Sequence, residues 1–199
     1  MRLVAPVRRL GLWGLLCLGG LLGGGSAAAQ VPPDSLSASR IQESVNAVLG
    51  EEHSITWIAH PLSAADKEAL RPQLKGAAAL PDTLYVGRVS TDEGPRFLIP
   101  DATPSKSKTF SLLLYLNGER SVVGVDVLTY RENYGYEVDY PMFRRQFHGK
   151  RRPSDVRFQR SIQNISGATI SARSMTYAVH DLLAVVNQVG LDPFRPSAN

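Results

Sequence analysis

The chain has 199 residues, with 22 Lys and Arg against 18 Asp and Glu. Arg2, Arg8 and Arg9 take three of those 22 cations, so the rest of the chain holds 19 against 18 and has no basic stripe, too little for counterion-release binding to nucleic acid. The one cysteine is Cys17, which excludes a disulfide, a thiolate-held metal or an iron–sulfur cluster from everything downstream, and no Cys-x-x-Cys-His stands ready for haem.

In chain order, the basic start, an apolar run over Leu10–Leu22 and Ala27-Ala28-Ala29 read as a secretory signal peptide cleaved near Ala29. The run is glycine-broken and shorter than the roughly 18 residues of a membrane span. Removing 29 residues from 199 leaves 170, which suits one compact unit with a substantial core. The expected location is extracytoplasmic, periplasmic or secreted.

Residues 30–36 read as a flexible lead-in. Ile41, Val45, Val48 and Leu49 recur at helical spacing and Gly50 stands as a C-cap, predicting a first helix. Ser63 with Asp66 three positions on predicts an N-cap and a second helix to about Leu70, stopped near Pro72. The stretch 30–82 is thus expected to be a helical region packed into one unit with an α+β domain over 83–199. There the period becomes extended: Leu84-Tyr85-Val86 and Phe97-Leu98-Ile99 are strands around Asp92-Glu93-Gly94-Pro95. Phe110–Leu116 and Ser121–Tyr130 are longer strands joined at Asn117-Gly118, with Val123, Val125 and Val127 expected on one face. After a loop at 131–135, a short helix is expected over Tyr140–Phe147 and a basic surface loop over His148–Asp155. Met175, Ala178, Val179, Leu182, Leu183 and Val186 then share one face of a last helix ended by Gly190 and Pro193. The fold class is therefore α+β, a mostly antiparallel sheet with helices packed on it.

The chemistry concentrates in Ile165-Ser166-Gly167-Ala168-Thr169-Ile170-Ser171, just before that last helix. Glycine and small hydroxyl residues at a helix start leave backbone N–H groups and a positive dipole end, which suits a phosphate. Ser-Gly-Ala-Thr followed by an aliphatic residue and Ser resembles the FMN-binding domain shared by the C subunit of sodium-pumping NADH:quinone oxidoreductase and the G subunit of the Rnf complex. Glu132-Asn133-Tyr134-Gly135 is similar to that family's Glu-x-x-Gly turn, and Phe147-His148-Gly149-Lys150 to its Phe-x-Gly-Lys segment, so the resemblance spans roughly Phe110–Val186.

The resemblance implies FMN on Thr169 through a phosphoester, installed by a separate flavin transferase that uses FAD as donor. It also implies an electron-transfer role beside a membrane or extracytoplasmic redox partner rather than a stand-alone enzyme. Ser166, Gly167, Ala168 and Ser171 are the motif's other cofactor-binding candidates, and Glu132, Tyr134 and Gly135 those for the ring side. Gln163 stands where the family commonly has an aspartate, six positions before the threonine. A threonine hydroxyl needs an activating base, and the motif contains none, which fits attachment by another enzyme.

Competing readings are a helix cap in a cofactor-free binding or scaffold module, an FMN-dependent reductase of a small substrate, and a serine hydrolase using Ser166 or Ser171. The last lacks a Gly-x-Ser-x-Gly elbow. Asn164-Ile165-Ser166 overlaps an N-glycosylation acceptor by accident. His53, His60, His148 and His180 show no metal-ligand spacing, and His180 is expected to be a partly covered surface residue.

Overall fold

The computed structural model describes residues 38–50, 53–76 and 80–194. The expected signal peptide, Cys17 and the lead-in lie outside these. Among the described residues, no helix is long and apolar enough to cross a membrane.

The first helix, α1 (Ala38–Leu49), buries Ile41 and Val45 and ends at Gly50, whose N–H bonds to the Asn46 carbonyl. Five strands follow: β1 (Thr56–Pro61), β2 (Thr83–Thr91), β3 (Gly94–Pro104), β4 (Thr109–Asn117) and β5 (Val122–Thr129). They form one antiparallel sheet in sequence order. The helix α2 (Ala64–Leu70) opens on the expected cap: Ser63 accepts from the Asp66 N–H while the Asp66 carboxylate accepts from Ser63. A short helix, α3 (Pro141–Arg144), precedes the long α4 (Thr169–Val189).

The strand β1 corrects the expectation of a purely helical 30–82. Its short run of β-branched and aromatic residues pairs with β2 from Thr56 opposite Arg88 to Pro61 opposite Thr83, and the sheet therefore extends into the N-terminal stretch.

The sheet is covered on both faces, and β4 shows why. Leu112, Leu114 and Leu116 point into the core under α4, while Leu113 and Tyr115 point into the core under α1. A strand buried on both sides reads as a continuous apolar run, as Ser-Leu-Leu-Leu-Tyr-Leu does. The Tyr115 hydroxyl meets Ser44 of α1 at 2.6 Å, giving its buried oxygen a partner, and burial raises its pKa.

The expectation that Val123, Val125 and Val127 share a face fails at Val123. A bulge shifts the β4–β5 register between Tyr115 and Leu116, and an extra residue in one strand reverses the side-chain alternation past it. Val123 packs on the α1 side, Val125 and Val127 on the α4 side. The turn before β5 is also wider than a two-residue Asn-Gly turn: Asn117 Oδ1 accepts from the Glu119 and Ser121 N–H groups, and Arg120 adopts φ 64°. The predicted face of α4 is buried throughout, and it clamps the helix across the sheet with its N-terminus beside the loop 131–140.

Candidate functional site

Thr169 is the first residue of α4 and is exposed. The preceding residue, Ala168, occupies the N-cap position without a side-chain bond and is itself 2% exposed. The first-turn N–H groups of α4 thus have no capping side chain of their own. Asn164 Nδ2 donates to Thr169 Oγ1 at 2.8 Å. With that oxygen accepting from Asn164, the hydroxyl proton is directed away from Asn164 and toward the surroundings.

The glycines of the two loops are required from within. Gly167 has φ +88°, and a Cβ there would lie 2.6 Å from Glu137 Oε1. Gly135 has φ +89°, and a Cβ would collide with the Tyr130 hydroxyl. Both positions need a left-handed backbone and the space a side chain would take. The loop 131–140 is therefore pressed directly onto the motif loop. Glu137 Oε2 is buried there without a hydrogen-bond partner.

Ser171, 3% exposed, lies inward. Its hydroxyl is 2.8 Å from Tyr130 Oη and 3.2 Å from Ser105 Oγ, and Tyr130 donates to the Tyr134 carbonyl at 2.9 Å. Two residues along a helix differ by about 200° in direction, which places Ser171 opposite Thr169. The partners of Ser171 are hydroxyls, so a hydrolytic role there has no base beside it. Ser166 is exposed. The Glu132 carboxylate accepts from the Ser107 and Lys108 N–H groups at 2.9 and 2.8 Å, and the bond from Ser107 leads the causes that lower its pKa. It ties the β3–β4 turn to the loop after β5. Tyr134 is 82% exposed. Gln163 is held by neutral partners: its N–H donates to Gln146 Oε1 at 2.6 Å and its side chain to the Arg160 carbonyl.

Beside Thr169 opens a hollow of about 670 Å³ between α4 and the segment 153–160, with Lys75 at one end. Its α4 wall is Thr169, Arg173, Tyr177 and His180, spaced at plus four, eight and eleven, one helical face. The opposite wall includes Arg157, Phe158 and Arg160, and among the described residues no carboxylate lines it. Of the residues singled out from sequence as cofactor-binding, Thr169 alone lines this hollow. Ser166, Gly167, Ala168, Ser171, Glu132, Tyr134 and Gly135 are not among its lining residues.

His180 departs from expectation, since it is 6% exposed rather than half covered. Its Nδ1 lies 2.8 Å from Asp181 Oδ1, and the Asp181 carboxylate also accepts from the Lys75 and Gly76 N–H groups at 2.8 and 2.7 Å. A carboxylate partner fixes Nδ1 as the protonated ring nitrogen. This places the end of the 71–76 segment against α4 and closes the far end of the hollow. Nearby, Asp101 of β3 shares with Phe97 and Ile99 the face under α4. Burial pushes its pKa up to about 7; a bond from the Ala102 backbone opposes this and the Asp181 charge adds to it.

Comparison with known proteins adds three findings. A family model described as an FMN-binding domain matches residues 106–184. No curated protein matches the chain. Among solved structures, a crystal structure from Parabacteroides distasonis, that of the C component of its Na(+)-translocating NADH-quinone reductase, is similar at 13% identity and a TM-score of 0.49, covering 77% of this chain and 83% of that one.

Proposed function

We propose, from the FMN-binding domain model that matches residues 106–184 and the FMN cofactor it indicates, that this is an exported flavoprotein with FMN esterified to Thr169, relaying electrons outside the cytoplasm. The observation that carries the reading is an exposed threonine hydroxyl at the start of α4, inside the matched segment and on the wall of a hollow of about 670 Å³.

The residues there fit such a group. The volume lies within the roughly 300–1,000 Å³ of small-molecule sites. Phe158 and Tyr177 supply aromatic surface for a planar ring system. Arg157 and Arg173 supply forked donors for a phosphate, and the first turn of α4 adds backbone N–H groups.

Attachment is a phosphoryl-group transfer. Thr169 Oγ forms a bond to the FMN-side phosphorus of FAD, the pyrophosphate P–O bond breaks, AMP leaves, and the threonine proton passes to a base on the transferase. Asn164 holds Oγ in one rotamer by donating to it, which leaves the departing proton accessible. Once bound, the flavin supplies one- and two-electron transfer while the protein orients it and sets its electrostatic surroundings. Arg157, Arg160, Arg173 and Lys75 make those surroundings positive. The redox partner, at the membrane or beyond it, meets the chain on the side where Thr169 opens to solvent.

The test is co-production of the full chain with a flavin transferase, read as in-gel fluorescence under denaturing conditions and as intact mass. The wild type gains one FMN and Thr169→Ala gains none. A colourless wild type of unchanged mass, beside a control protein that the same transferase labels, refutes the proposal.

A further inference from the structure

The hollow beside Thr169 is lined by four cations from three parts of the chain: Lys75, Arg157 and Arg160, and Arg173 on α4. Among the described residues, none of these four side chains forms an ion pair, whereas Arg96, Arg144 and Arg151 are paired with Glu93, Asp126 and Glu119. Like charges gathered without counter-charge repel, and the repulsion is relieved when an anion enters.

The amount of charge is informative. A phosphodiester on Thr169 carries one negative charge, whereas a free phosphate monoester carries nearly two at neutral pH. Four cations are thus offset more fully by the free monoester's two charges than by the single charge of the ester linkage. Their arrangement also suits a phosphate: Arg157 and Arg160 line the loop wall and Arg173 the helix wall one turn beyond Thr169, so forked donors stand on two sides of the hollow. Phe158 and Tyr177 stand in the same hollow as apolar surface for an attached ring.

We propose that this hollow binds phosphate-bearing flavin without any covalent bond, with Arg157, Arg160, Arg173 and Lys75 recognising the phosphate. The inference rests on the FMN reading of the same site but not on the ester, and it assigns to these four residues the selection of FMN over unphosphorylated riboflavin.

The experiment uses the full chain produced without a flavin transferase, titrated with FMN and separately with riboflavin and followed by quenching of flavin fluorescence. FMN is expected to bind about tenfold or more tighter than riboflavin. The gap narrows as salt is raised from low to high ionic strength. In the double variant Arg157→Gln/Arg173→Gln the gap closes while riboflavin affinity stays the same, and thermal melting of that variant confirms that it is folded. Thr169→Ala keeps the preference. Equal affinity for FMN and riboflavin in the wild type overturns the proposal, as does an undiminished preference in the arginine variant. A chain that the transferase labels at Thr169 but that does not distinguish free FMN from riboflavin sinks this inference and leaves the covalent reading standing. A chain that prefers FMN but is never labelled does the reverse.

Discussion

Replacing Asp101 by asparagine is expected to stabilise the protein at neutral pH and to leave it unchanged in acid. Asp101 lies under α4, where burial raises its pKa from 3.8 to about 7. An unfolded chain releases this proton near pH 4, whereas the folded one keeps it until about pH 7. Between those values the native state binds more protons, so stability falls as pH rises. At 1.36 kcal/mol per unit of pKa shift, the ceiling on the loss is about 4 kcal/mol. Asparagine keeps the shape and never ionises, so the variant lacks this slope. The assay is urea denaturation of both proteins at intervals from about pH 4 to 8, comparing the difference in unfolding free energy. Carboxylates held low in both, such as Asp66 and Glu132, cancel in the difference. The expected difference is near zero at about pH 4 and rises to about 2–4 kcal/mol by about pH 7.5. A difference that does not change with pH refutes the reasoning.

Three further outcomes follow from local geometry. Gly167→Ala should destabilise by about 2 kcal/mol or more, part from the positive φ and part from contact with Glu137; Glu137→Ala in the same chain should recover only the second part in a denaturation cycle. Ser63→Ala removes the reciprocal cap with Asp66 and should cost about 1 kcal/mol, seen as a lower urea midpoint at unchanged slope. Asn164→Ala removes the donor to Thr169 Oγ1; losing a bond of about 1 kcal/mol should slow flavin-transferase labelling about fivefold, measured as the initial rate of in-gel fluorescence. An unchanged rate would remove Asn164 from any positioning role.

The regular parts of the fold were legible because their patterns are local. Ser63 with Asp66 announces a cap, and the run from Met175 to Val186 states one helical stripe whose every predicted member is buried. The strand β1 was not legible, since Thr56–Pro61 is short and earns its place only by pairing with β2, on the far side of α2 in the chain. The bulge in β5 was hidden for a related reason: Val123, Val125 and Val127 alternate faultlessly, and only the ladder with β4 reveals the added residue. At the site, Thr169 was legible, and Arg173, Tyr177 and His180 follow from it by helical spacing. The opposite wall was not. Arg157, Phe158 and Arg160 lie in a segment held by irregular bonds such as Gln159 N–H to the Ile162 carbonyl, which leave no period to read. Glu132 illustrates the limit of motif position: its carboxylate is committed to the Ser107 and Lys108 amides.

The chain of hydroxyls from Ser105 through Tyr130 to Ser171 joins parts that are distant in sequence. Tyr130 has a single proton, and with the Tyr134 carbonyl taking it, the phenol oxygen is left as an acceptor for the serine hydroxyls. The phenol acts as a rivet between the tip bearing Tyr134 and the first turn of α4. The exposed Tyr134 and the buried Ser171 are thereby fastened through one phenol, on the side of α4 turned away from Thr169.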